Sequence, residues 1–140
     1  MASYTFRCAG ESGEGVISAG EIACLALSDI GFNVFTFESY PAEIKGGHCW
    51  YQVRSSDDEL ASAGVGVDLL CAFNQEAIDL HAKVVSAGGV IVSDPGQVTA
   101  PPTRTDVRLL AIPFDELVNT QVHSPQSKHV FAVALVPPPP

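Results

Sequence analysis

The sequence predicts an α/β domain in which helices cover both faces of a mostly parallel sheet. Three observations carry that expectation. Short apolar runs alternate with stretches of helical periodicity along most of the chain. Several of the runs are apolar on both faces, as strands buried between two helical layers must be. A glycine cluster, Gly10-Glu11-Ser12-Gly13-Glu14-Gly15, falls directly between the first strand and the first helix. Doubly wound domains turn the chain there and bring ligands close to the backbone.

The elements follow in order. Residues 4–9 (Tyr4 to Ala9) read as a short buried strand that runs straight into the glycines. From Val16 to Ile30, the residues Val16, Ile17, Ala19, Ile22, Ala23, Ala26, Leu27 and Ile30 recur at helical spacing, and Gly31 is placed to cap that helix. Asn33 to Phe37 is rich in β-branched and aromatic residues and reads as the second strand. A loop from Glu38 to His48 leads to a third strand, Cys49 to Arg54, and a polar turn over Ser55 to Glu59. Asp68 to Phe73 is a nearly continuous apolar fourth strand. Asn74 can cap a helix from Gln75 to Ala87 that Gly88-Gly89 would end. Val90 to Ser93 is a fifth strand stopped by Asp94-Pro95-Gly96, Val107 to Ile112 a sixth, and Phe114 to Val118 the start of a further helix. Together these define a Rossmann-like three-layer domain, with 1–122 as the domain and 123–140 as its tail. Ser127 to Val136 is apolar but stops in Pro137 to Pro140, which continue neither a helix nor a central strand. The tail is either truncated or an extended polyproline end, and truncation is the expectation.

Composition narrows the partners. A chain of 140 residues, 46% hydrophobic and 16% charged, suits one domain with a real core. Its net charge of −9 repels phosphate backbones and anionic lipid, so neither nucleic acid nor a membrane surface is an expected partner. An anionic ligand would have to be held by backbone N–H groups and a few local cations. The N-terminus has no signal-peptide pattern and no apolar stretch reaches membrane-spanning length, so a soluble cytoplasmic protein is expected. Cys8, Cys24, Cys49 and Cys71 form no C-x-x-C pair. They read as reduced core residues, with a functional thiol or a metal site as lesser alternatives.

Two loops could carry chemistry. The first has the spacing G-x-x-G-x-G, which differs from the dinucleotide fingerprint G-x-G-x-x-G, and Glu11 and Glu14 put negative charge beside any bound phosphate. It is either a structural tight turn or a place where a ligand approaches the backbone; NAD is disfavoured. The second, Glu38 to His48, lies after the second strand, on the edge where such folds bind ligands. In it Lys45-Gly46-Gly47 could bring an ammonium and free N–H groups to one anion. A tightly turned, purely structural connection is the alternative, and His48 reads as a hydrogen-bonded loop histidine rather than a catalyst. Arg54 reads as a local ion-pair partner of Asp57 or Asp58, Asn74 as a helix cap, and Asp94 as a turn former. No spacing suggests a nucleophile elbow or a catalytic triad.

With both loops read, the sequence resembles the γ-type domain of the 2-oxoacid:ferredoxin oxidoreductases. The resemblance rests on Gly10-Glu11-Ser12-Gly13-Glu14-Gly15-Val16 with Ser18-Ala19-Gly20, on Tyr40-Pro41-Ala42-Glu43-Ile44-Lys45-Gly46-Gly47, and on Val53-Arg54-Ser55-Ser56-Asp57. Asp68-Leu69-Leu70 and Gly88-Gly89-Val90-Ile91-Val92-Ser93-Asp94 follow in order, so that the match covers about residues 4–118. Glu14 and Lys45 are most like the forms in which γ and α parts are fused, a subtype assigned to 2-oxoglutarate or broad 2-oxoacid substrates.

The resemblance implies oxidative decarboxylation of a 2-oxoacid to an acyl-coenzyme A with reduction of ferredoxin, in a complex with α and β subunits or domains. It implies that thiamine diphosphate, Mg and the iron–sulfur clusters are bound by other domains, and that this one contacts coenzyme A without supplying catalytic residues. Carried over, Gly10, Glu11, Ser12, Gly13, Glu14 and Gly15 would face coenzyme A together with Lys45, Gly46 and Gly47, Lys45 neutralising phosphate charge. The alternatives are a stand-alone nucleotide-binding or regulatory module, or a truncated non-catalytic remnant.

Overall fold

The computed structural model describes residues 3–13, 15–39 and 47–117. Among the described residues six strands form one sheet in the order β2-β3-β1-β4-β5-β6. They are β1 (Ser3–Glu11), β2 (Asn33–Ser39), β3 (His48–Ser56), β4 (Val67–Ala72), β5 (Val85–Ser93) and β6 (Arg108–Ala111). The helices are α1 (Val16–Asp29), α2 (Gln75–His81) and the short α3 (Phe114–Leu117), with a 3-10 turn over Ala82–Val84. β1 pairs parallel with β4, β4 with β5 and β5 with β6, whereas β3 runs antiparallel to both β1 and β2. β3 alone is therefore reversed and the other five strands share one direction, as a mostly parallel sheet requires.

Side-chain alternation divides the sheet into two faces. Phe6 and Cys8 of β1, Cys49, Tyr51 and Val53 of β3, and Leu69 and Cys71 of β4 pack with Val16, Ala19, Ala23 and Leu27 of α1. On the opposite face Ala9, Leu70, Ala72 and Ile91 pack with Ala77 and Ile78 of α2. The three layers are thus α1, sheet and α2. Cys8, Cys49 and Cys71 are buried and Cys24 is half-buried, all as free thiols.

The stripe that α1 buries is narrower than its apolar content. Val16, Ala19, Gly20, Ala23 and Leu27 face inward, while Ile22 is 40% and Ile30 65% exposed. Gly20 belongs to that stripe because the Tyr51 side chain lies across it, 2.1 Å from where a Cβ would stand. At its C-terminus the helix closes as expected. Gly31, at φ 99°, donates to Ser28 O, and Phe32 donates to Leu27 O, the paired bonds of a Schellman end.

The second helix is shorter than its pattern suggests. It ends at His81 instead of Ala87, and Gly88 and Gly89 lie inside β5. The apolar residues past His81 turn back into the sheet, where Val85 is buried. Gly89 has a packing reason to stay small, since an added Cβ would come within 2.8 Å of Ser86 O and 3.0 Å of Asp68 O. β3 continues two residues beyond Arg54, so Ser55 and Ser56 pair with β1 and do not form a turn. The boundary expected at residue 122 and the 123–140 tail lie outside the described residues.

Candidate functional site

The crevice that an open α/β sheet offers a ligand lies at the carboxyl ends of its strands, where successive connections leave in opposite directions. Here that point is between β1 and β4. The chain leaving β1 crosses through α1 on one face towards β2, and the chain leaving β4 crosses through α2 on the other face towards β5. The glycine cluster falls at this edge, but it is only partly a turn. Gly10 and Glu11 still belong to β1, paired with Cys49 and His48. The reversal is made by Ser12 and Gly13, and Gly15 is the N-cap of α1 in a left-handed conformation without a side-chain cap. Gly13 at φ 98° and Gly15 at φ 86° adopt backbone that L side chains resist. Glu11, Ser12 and Gly13 are exposed, so the backbone there is open to approach.

The second loop reaches the same place. Ser12 N donates to Gly47 O at 2.9 Å, tying the first turn to the residue that leads into β3. Glu14, Lys45 and Gly46 lie outside the described residues, as does the rest of 40–44. Of the nine residues singled out from the sequence, six are therefore placed, and Gly10, Glu11, Ser12, Gly13, Gly15 and Gly47 share one edge of the sheet.

Next to that edge is a polar cluster of which only His48, expected as a hydrogen-bonded histidine, stands out in the sequence. Arg7, on the α2 side of β1, donates through Nε to Gln52 Oε1 at 2.9 Å and through Nη2 to the same oxygen at 2.5 Å. Its Nη1 lies 2.9 Å from His81 Nδ1, and its guanidinium stacks 4.1 Å above the Trp50 ring. His81 Nε2 is in turn 2.7 Å from His48 Nε2. Gln52 completes its bonds by donating to Ala63 O at 2.9 Å. Burial in this setting holds the Arg7 guanidinium down to about 10. His81 is held down to about 4, first by burial and then by the charge of Arg7, with His48 and Lys83 adding to it. Burial also lowers His48, against an opposing pull from Glu76. Besides His48, the visible signal in the sequence is an arginine in the middle of a strand otherwise destined for the core.

The remaining sequence candidates have structural roles. Asn74 Oδ1 accepts from Ala77 N at 2.9 Å and caps α2. Asp94 Oδ1 accepts from Gly96 N at 2.8 Å, making the turn after β5. Arg54 does not form the expected ion pair with Asp57 or Asp58. It donates to Ser62 O at 3.2 Å and to Ser3 Oγ at 3.4 Å, because alternation along β3 turns it towards the 62–66 loop and away from its acidic neighbours in sequence. It lines a cavity of about 200 Å³ with Asp68 and Ser86, among others, beyond the opposite edge of the sheet.

Comparison with known proteins identifies the family and the fold. Residues 5–136 match the pyruvate ferredoxin/flavodoxin oxidoreductase family. The 2-oxoglutarate synthase subunit KorC of Archaeoglobus fulgidus is 32% identical over 91% of this chain and 65% of its own. Among solved structures, the 2-oxoglutarate:ferredoxin oxidoreductase of Magnetococcus marinus, with 2-oxoglutarate, coenzyme A and succinyl-CoA bound, superimposes with a TM-score of 0.86. It is 36% identical, over 94% of this chain and 23% of that one. The γ subunit of the keto/oxoacid ferredoxin oxidoreductase of Geobacter sulfurreducens gives a TM-score of 0.84 at 27% identity, over 95% and 73% of the two chains. The chain thus spans less than two thirds of KorC and about a quarter of the Magnetococcus protein. By its sequence match and by its fold, this chain belongs to the pyruvate ferredoxin/flavodoxin oxidoreductase family.

Proposed function

We propose that this chain is the γ-type domain or subunit of a 2-oxoacid:ferredoxin oxidoreductase. It holds coenzyme A at the carboxyl edge of its sheet and contacts the α and β parts of the enzyme. The complex converts a 2-oxoacid such as 2-oxoglutarate or pyruvate to its acyl-coenzyme A in the cytoplasm and passes the electrons to ferredoxin. Thiamine diphosphate, Mg and the iron–sulfur clusters belong to other domains. This domain is non-catalytic, and alone it is inactive.

The observation that carries the reading is the Ser12 N to Gly47 O bond. It brings two glycine segments far apart in sequence to one ligand edge, and with them the residue that follows Lys45-Gly46. A chain with net charge −9 has few cations for a phosphate ligand, so exposed backbone N–H groups and one lysine are the means it has. The coenzyme A in the Magnetococcus relative supports the choice of ligand. Leu25 and Ile30, each 65% exposed, leave apolar area on the outer side of α1, where a larger assembly could cover it.

Calorimetric titration with coenzyme A, NAD and ATP tests the proposal. Coenzyme A should bind most tightly, and Lys45→Ala should weaken it about tenfold, the weight of one charge-assisted hydrogen bond. Unchanged affinity in Lys45→Ala would remove the role given to that lysine. Tighter binding of NAD would favour a stand-alone nucleotide-binding module.

A further inference from the structure

The Arg7, His81 and His48 contacts form a chain of hydrogen bonds whose direction is fixed by chemistry. A guanidinium has only donors. Arg7 Nη1 therefore donates to His81 Nδ1 across 2.9 Å, and that nitrogen must carry a lone pair. A neutral His81 keeps its proton on Nε2, which lies 2.7 Å from His48 Nε2. Two N–H groups cannot face each other at that distance, so His48 Nε2 is the acceptor and the His48 proton sits on Nδ1. Gln52 closes the other side, since its carbonyl oxygen accepts from Arg7 and its amide donates to Ala63 O. The chain of donors thus ends at His48 Nδ1–H, which is buried and has no hydrogen-bond partner among the described residues. Folded proteins rarely leave such a donor unsatisfied.

The unsatisfied group stands beside the ligand edge. His48 opens β3 opposite Glu11, the last residue of β1, and immediately follows Gly47, whose carbonyl accepts from Ser12. We infer that His48 Nδ1–H is a ligand-binding donor, held in one tautomer by Arg7 through His81, and that it binds a phosphate oxygen of the ligand at this edge. The inference rests on the coenzyme A reading above and adds a contact to it. A neutral N–H donor suits a strongly acidic chain, because it binds an anionic oxygen without placing a second cation beside Arg7.

Two substitutions separate this role from a structural one. Asparagine places an amide N–H near the Nδ1 position of histidine, and glutamine places its amide carbonyl oxygen near Nε2, where it accepts from His81. His48→Asn therefore keeps the terminal donor, whereas His48→Gln keeps only the contact to His81. Calorimetry with coenzyme A on the 140-residue chain should show His48→Asn within about threefold of wild type and His48→Gln weaker by about tenfold. Circular dichroism would establish that both variants fold. The imidazole ¹⁵N shifts should report protons on His81 Nε2 and His48 Nδ1, and coenzyme A should move the latter signal while pantetheine, which has no phosphate, should not. A proton on His81 Nδ1, a response to pantetheine equal to that to coenzyme A, or His48→Asn binding more weakly than His48→Gln overturns this inference. Equal affinities for wild type and both variants overturn it too, and would assign the Nδ1–H to a bound water. Failure of the wild-type chain to bind coenzyme A overturns the functional reading itself.

Discussion

The buried histidine makes the fold sensitive to mild acid, by an amount that can be calculated. His81 is held near 4, mainly by burial and then by Arg7, His48 and Lys83, whereas in the unfolded chain it titrates near its ordinary 6.5. The unfolded state therefore binds the proton more readily. The contribution of His81 is fully present above pH 6.5 and is lost as the pH falls from there towards 4. Between pH 7.5 and pH 5 the linkage integral for such a shift is about 2 kcal/mol, and about 1 kcal/mol should survive solvent screening. His48, lowered by burial against the pull of Glu76, acts in the same direction. Urea unfolding of wild type and His81→Gln at the two pH values measures it. Glutamine does not titrate and can still donate to His48, so wild type should lose about 1–2 kcal/mol more than the variant on acidification. Equal losses would mean that His81 is not held neutral among these groups, and the direction assigned to the Arg7, His81 and His48 chain would fail with it.

Three further outcomes follow from the packing. Gly20→Ala would drive a Cβ to within 2.1–2.7 Å of the ring and Cβ of buried Tyr51. Despite the better helix propensity of alanine it should destabilise by about 1–3 kcal/mol in chemical denaturation. Asn74→Ala removes the side chain that accepts from Ala77 N and should cost about 1 kcal/mol in the same assay. Gly13→Ala meets no neighbouring atom within 4 Å but must hold φ 98°. It should cost about 1 kcal/mol through the backbone alone, a cost that Gly13→Asn should partly relieve.

Much of the fold was legible because periodicity is local. The strand, glycine turn and helix at the start are adjacent in sequence, and the burial of Val16, Ala19, Ala23 and Leu27 follows from helical spacing. The length of α2 was not legible. Its apolar residues continue through Val84 and Val85, and nothing local distinguishes a helix ending at Ala87 from one that closes at His81 and enters β5. Arg54 departs from its expected ion pair for a related reason: the acidic residues nearest in sequence compete with a loop that alternation brings to the same face. The two glycine segments could be proposed as neighbours only from the fold class, and the Ser12 to Gly47 bond makes that contact explicit. Of the polar cluster beside them only His48 is legible, as a hydrogen-bonded histidine. Arg7, Gln52 and His81 are separated by as many as 74 residues, and what joins them is strand register and the path of α2, which single positions do not encode.

The position of β1 also orders how the chain assembles. The earliest of the six strands in sequence becomes an interior one, flanked by β3 along nine residues and by β4 along four. Once Ser56 has emerged, β1, α1, β2 and β3 can close as half a sheet with a helix on one face. From there each new strand is laid on the free edge of the sheet already formed, β4 on β1, β5 on β4 and β6 on β5. Between the emergence of Ser56 and that of Ala72, β1 carries a bare row of backbone donors and acceptors, with apolar side chains above and below them. During that interval of about sixteen residues of synthesis β1 is open to pairing with the wrong partner, and the arrival of β4 covers it.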